Sequence, residues 1–151
     1  MDVNQENRGQ EELKVWIKTQ LDVAVQKIIK HGNIDSLIVE AKPAWVLPFQ
    51  ILIGKIRAQG DGNEFQWFIC GEAPTDYLES ALAATPREAA RHFAMKWQLG
   101  AARYQEQAGQ DEAADKEADT NWQEPVEQLV EKAEALHALV DDTRLWLQKN
   151  N

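Results

Sequence analysis

Residues 51–71, ILIGKIRAQGDGNEFQWFICG, decide the fold. Gln59-Gly60-Asp61-Gly62-Asn63 is a cluster of turn formers between two runs rich in β-branched and aromatic residues. That arrangement reads as a β-hairpin. The GDGN run also invites a calcium reading. It lacks the alternating oxygen ligands and closing glutamate of an EF-hand loop, so the hairpin is preferred. The second arm is apolar on both sides, with Phe65, Trp67 and Ile69 on one and Phe68 and Cys70 on the other. A strand buried on two faces has that pattern. Three strands are expected: Ser36–Ala41, Phe49–Ala58 and Glu64–Cys70. Lys42–Pro43 and Leu47–Pro48 are expected to bend the chain between the first two.

Helices flank this block. Leu13, Ile17, Leu21, Ala24 and Ile28 recur at steps of four and three, which puts one apolar stripe on a helix that stops at Gly32. His31 falls in its last turn, where a positive charge suits the dipole. Thr85-Pro86-Arg87-Glu88 is a helix start: Thr85 caps, Pro86 fits the first helical position and Glu88 reaches back. The helix is expected to run to about residue 107, with Ala90, Phe93, Trp97, Ala101 and Tyr104 facing the sheet. That orientation turns His92 away from Cys70. A second strip, Met95, Leu99 and Ala102, needs another cover. Near Pro125–Lys149, the residues Val126, Leu129, Ala133, Leu136, Val140, Thr143 and Leu147 form a heptad seam. The seam is expected to dock on the Met95–Leu99 strip of the same chain. A homodimer through this helix is the alternative to a monomer.

The 151 residues suit a single α+β domain: an N-terminal helix, a three-stranded antiparallel meander and two C-terminal helices. Residues 1–10 read as a tail, 11–107 as the core, 108–121 as an acidic linker and 122–151 as the C-terminal helix packing on that core. No apolar run is long enough for a membrane span, and the polar start does not resemble a secretion signal. One cysteine allows no internal disulfide. A cytoplasmic location is therefore expected. Net charge is −9, and it is concentrated: from Glu106 to Asp142, twelve acids face only Lys116 and Lys132. Such a region disfavours nucleic acid and anionic membranes and suits a basic protein partner. A solvated, solubilising face is the plainer reading.

Chemistry has few candidates. Cys70 needs a base to act as a nucleophile, and only His92 and Asp76 are near in sequence. Glu72 and Asp76 could form a carboxylate pair, yet Thr75 and Asp76 serve equally well as turn or cap residues. Glu88 and His92, four apart on a helix, read as solvated neighbours rather than metal ligands. No phosphate loop or nucleophile elbow is present. No metal or cofactor is expected. Arg87 and Arg91 share an outward helix face and are expected to pair with the acidic C-terminal helix. Among the six tryptophans, Trp16 and Trp45 are the candidates for partial exposure, with a core role the preferred reading.

The block from Trp67 to Trp97 resembles a family of small, uncharacterised bacterial proteins, a domain of unknown function. The similar positions are Gly71, Glu72, Pro74, Thr75 and Asp76 of a turn, then Arg87, Glu88, Ala89, Arg91, His92, Phe93, Trp97 and Gln98 of a helix. The run PAWVLPFQILIGKIRA upstream is similar too. The resemblance implies no assigned activity and supplies no catalytic residues. It adds interest to Asp76, Arg87 and His92. The expected function is a non-enzymatic interaction or regulatory module, with an immunity-type inhibitor of a basic toxin as one form of it. Its candidate surface residues are Trp45, Glu72, Asp76, Arg87, Arg91 and His92. The alternative is an enzyme of unknown reaction, with a site at the Cys70–Asp76 turn.

Overall fold

The computed structural model describes residues 3–31, 38–58, 64–110 and 126–147. The expected hairpin tip at 59–63, the Gly32 stop and most of the acidic linker lie outside them. The chain forms two compact units, Met1–Tyr77 and Leu78–Asn151.

The first unit opens with α1, Val3–His31. Residues 3–10, expected as a tail, belong to this helix. Apart from Val3 and Gly9 they are polar, so no apolar period marks them, but Gln, Glu and Arg sustain a helix well. Four strands follow: β1 (Ile38–Leu47), β2 (Ile51–Ala58), β3 (Gln66–Gly71) and the short β4 (Asp76–Leu78), in the order β1-β2-β3-β4. β2 pairs antiparallel with both β1 and β3. The few residues between β3 and β4 leave no room for a parallel crossover. The fold is α+β with four strands rather than the expected three. The extra one arises where the turn at 72–75 returns the chain to the edge of β3.

β1 is longer than expected. Lys42 and Pro43 remain in the strand, opposite Lys55 and Gly54, and a register shift follows between Pro43 and Trp45. An edge strand with a bulge tolerates a residue that has no N–H to donate. The reversal is left to Leu47–Gln50, closed by the Gln50 N–H donating to the Leu47 carbonyl at 2.9 Å. Proline stands second in this turn, and Phe49 third with φ +62°. That is the pattern of a type II turn, which normally takes glycine at the third position.

The core of this unit sits between α1 and one sheet face. Ala24 and Ile28 of α1 meet Leu52, Ile56, Phe68 and Cys70, with Ile17 and Leu21 half-buried beside them. The stripe read from the sequence is therefore the packing face, and each fully buried Ile or Leu contributes about 2 kcal/mol. Gly54 makes this packing feasible. A Cβ there would lie 2.4 Å from the Lys42 carbonyl oxygen and 2.7 Å from the Phe68 ring. On the other sheet face Ile51, Ile53, Trp67 and Ile69 are buried as well.

The second unit holds a short 3-10 turn at Ser80–Leu82, then α2 (Pro86–Gln110), α3 (Val126–Asp141) and α4 (Thr143–Trp146). The start of α2 is capped as expected. The Glu88 N–H donates to Thr85 Oγ1 at 3.1 Å, and Glu88 Oε1 accepts the Ala84 N–H at 2.8 Å. Phe93 and Trp97 are buried and stacked, with centroids 6.2 Å apart.

α3 packs on α2. Arg87 Nε donates to the Val140 carbonyl at 2.9 Å, and Gln98 Oε1 lies 3.1 Å from His137 Nε2. Residues 87, 90, 94, 98 and 101 form one stripe of α2, and its three alanines are buried. Small side chains let a helix approach closely, so α3 takes this flank. The expected dock is not used: Met95 and Leu99 are exposed. The heptad seam holds through Leu129, Ala133, Leu136 and Val140, all buried, and then ends. Asp142 leaves the helical conformation and caps α4 through the Arg144 N–H at 3.2 Å. Thr143 and Leu147 are consequently exposed. Among the described residues, no helix is long and apolar enough to cross a membrane.

Candidate functional site

The turn after β3 is built by one glycine. Gly71 has φ +104°, and a Cβ there would lie 2.4 Å from the Gln50 carbonyl oxygen. This left-handed conformation suits glycine. It lets the Glu72 N–H donate to that same oxygen at 2.6 Å. The turn is thereby fastened to the Leu47–Gln50 reversal, and the Glu72 side chain is left at the surface. Phe49 is half-exposed beside it, its ring 5.8 Å from that of Trp16.

Cys70 immediately precedes this glycine and points into the α1 side of the core. It is 1% exposed, and its Sγ–H faces the Gln20 carbonyl of α1 at 3.8 Å. Burial pushes its pKa up to about 12, and the nearby charge of Lys27 opposes this only in part. A thiol in that state is a packing group and not a nucleophile.

Asp76 is the unexpected member of the turn. As a cap residue it would sit at the surface, yet it is 1% exposed on β4, with Thr75 buried beside it. Its Oδ1 accepts the Tyr77 N–H at 2.8 Å. A buried carboxylate must be hydrogen-bonded to be tolerated, and this contact is one of those that satisfy it. Tyr77 has its hydroxyl pKa raised, first by burial and then by the charge of Asp76. Asp76 thus acts as an internal tie for the edge strand.

The remaining residues expected at a site have separate roles. Trp45 is half-buried on β1, just after the bulge. Arg87 is drawn to the C-terminal end of α3, with a second bond from its guanidinium to Thr143 Oγ1 at 3.2 Å. A cation at a helix C-terminus is favourable, so the expected pairing with the last helix takes the form of carbonyl and hydroxyl contacts. Arg91 is exposed and His92 half-exposed on α2. Among the described residues, no group of three His, Cys, Asp or Glu side chains is placed to hold a metal.

One constellation goes beyond the residues singled out in the sequence. On the sheet face away from α1, Lys42 Nζ lies 4.5 Å from the centre of the Phe65 ring and Arg57 lies 5.6 Å from it. Lys55 Nζ lies 4.8 Å from the centre of the Trp67 ring. A signal for it existed. A hairpin centred on Asp61 pairs Lys55 with Trp67 and brings Arg57 towards Phe65.

Residues 10–146 match the model of a family described as a domain of unknown function, DUF4826. The chain matches no curated protein and no solved structure. The family match spans most of the sequence, including the turn and helix that carried the resemblance. On that match, this chain belongs to the DUF4826 family.

Proposed function

We propose that this chain is a non-enzymatic protein-interaction module whose acidic C-terminal region engages a basic partner. The carrying observation is the outward face of α3. Glu127, Glu131, Glu134 and Asp141 are all exposed, and at 100° per residue they fall on one stripe opposite the buried seam. Like charges three and four residues apart repel one another in the free helix. A basic surface laid along the stripe relieves that repulsion and gains steering at long range. An immunity-type inhibitor of a basic toxin is one form this activity would take.

The alternative, an enzyme at the Cys70–Asp76 turn, lacks support from its would-be nucleophile. Cys70 is sealed in the core, and Asp76 is engaged with the backbone of its own strand. The test compares the wild type with a Glu127→Gln/Glu131→Gln/Glu134→Gln variant, both immobilised. The wild type is expected to retain a basic protein that elutes with salt, and the variant to release it at distinctly lower salt. Equal retention by both would overturn the assignment of this face.

A further inference from the structure

We infer that the sheet face carrying Lys42, Lys55 and Arg57 is a second binding surface, and that it takes a short, extended, acidic segment of a partner protein. The first ground is a cost built into the strands. Lys42 and Lys55 are direct partners across β1 and β2. Like charges placed opposite each other destabilise a sheet. Neither lysine has a carboxylate partner among the described residues. Each ammonium lies over an aromatic ring instead, Lys42 on Phe65 and Lys55 on Trp67. A ring face attracts a cation through its quadrupole and carries no net charge. It holds the ammonium in place without neutralising it. Arg57 joins the group over Phe65 and pairs with Glu40 at 3.5 Å. Among the described residues, Lys42, Lys55 and Arg57 meet on this face with Glu40 beside Arg57, in a chain of net charge −9.

The spacing suggests the occupant. Lys55 and Arg57 are two residues apart on β2, on the same side and about 6.7 Å apart along the strand. An extended peptide presents side chains on one side at the same interval, so acidic residues at alternate positions match the two cations. Lys42, opposite Lys55, widens the first of these positions. A nucleic acid fits less well. Proteins that bind single strands offer open aromatic faces on which bases stack. Here cations already lie over Phe65 and Trp67, and Trp67 is only 3% exposed. A long polyanion also meets the repulsion of the whole chain, whereas a segment bringing two or three charges meets little of it.

The probes are a fluorescein-labelled peptide alternating Asp and Gly, its Asn counterpart and a short oligothymidylate, each titrated into the full-length protein. The Asp peptide is expected to bind at about 20 mM salt and to weaken about tenfold or more by about 200 mM. The Asn peptide is expected to bind at least about tenfold more weakly at low salt, and a Lys42→Gln/Lys55→Gln variant to lose about tenfold for the Asp peptide. Amide shifts in the unaltered protein give a readout that needs no variant: Lys42, Lys55 and Arg57 should move first. Four results would overturn the inference: equal binding of the Asp and Asn peptides, an unaffected double variant, shifts centred elsewhere, or tighter binding of the oligothymidylate at these residues.

Discussion

Raising the pH above 9 should destabilise this protein through Cys70, and the size of the effect follows from where the thiol sits. The side chain is 1% exposed, packed among Ala24, Ile28, Leu52, Ile56 and Phe68. Its ordinary pKa of 9.0 is raised to about 12 because a thiolate there would lose its hydration. At pH 8 roughly one thiol in ten thousand is ionised in the folded chain, against about one in ten once unfolded. Alkylation requires the thiolate, so the native protein should label about a thousandfold more slowly than the protein in guanidinium. The linkage has a definite sign. Because the folded pKa is the higher one, the contribution is fully present below about pH 9. It is lost as the pH rises towards 12, since only the unfolded chain releases the proton readily. By pH 10 the loss is about 1.4 kcal/mol. The comparison is with Cys70→Ala, which cannot ionise there. The stability gap between wild type and variant, from urea melts, should shrink by that amount between pH 8 and 10. A constant gap, or native labelling within about tenfold of the unfolded rate, would refute the burial argument.

Two further perturbations test the packing. Gly54→Ala places a methyl against the Lys42 carbonyl and the Phe68 ring. It should cost about 1–3 kcal/mol in a denaturant melt, and a neutral result would mean that the β1–β2–Phe68 arrangement is wrong. Leu99→Lys alters a residue that is 58% exposed on α2. Its effect should stay within about 0.5 kcal/mol, and a loss well above that in the same melt would show that the Met95–Leu99 strip is covered after all.

Where a local pattern and the packing agree, the sequence is a good guide to this fold. β2 and β3 pair antiparallel in the register that joins Ile53 to Ile69 and Lys55 to Trp67, the pairing that the two strand-like runs imply. The Thr85–Glu88 cap is present in its expected place, the α1 stripe is buried at Ala24 and Ile28 and half-buried at Ile17 and Leu21, and most of the α3 seam is buried. The departures have physical reasons. Proline at 43 argues for a bend only if its strand is central, and edge position cannot be read from composition. β4 is three residues long, too short to display a period. The heptad runs on through Thr143 and Leu147 on paper, but Asp142 offers its carboxylate to the Arg144 N–H and breaks the helix first. The Met95–Leu99 strip reads as the natural dock because it is apolar. Close approach along the alanines was worth more, and that preference depends on three dimensions. The site was legible only in outline. Asp76 stands out in the sequence, but its burial does not, since the same residue caps a turn equally well.

Net charge was the least informative of the global properties, and the reason bears on both proposed surfaces. A value of −9 describes the chain as seen from far away. At physiological salt the screening length is about 8 Å, so a ligand close to the surface responds mainly to the side chains around it. Along α3 those are Glu127, Glu131 and Glu134, and across β1 and β2 they are Lys42, Lys55 and Arg57. The two faces therefore have opposite local signs, and each is held by a different device. α3 presents its acids because its seam is buried on the other side. The strands present their cations because Phe65 and Trp67 hold them without cancelling them. Salt should weaken binding at both faces, whereas substituting the lysines should affect only the acidic ligand and substituting the glutamates only the basic one. That crossed pattern separates two local surfaces from one diffuse field. A diffuse field would respond to the total charge and make the two sets of substitutions act in opposition on the same ligand.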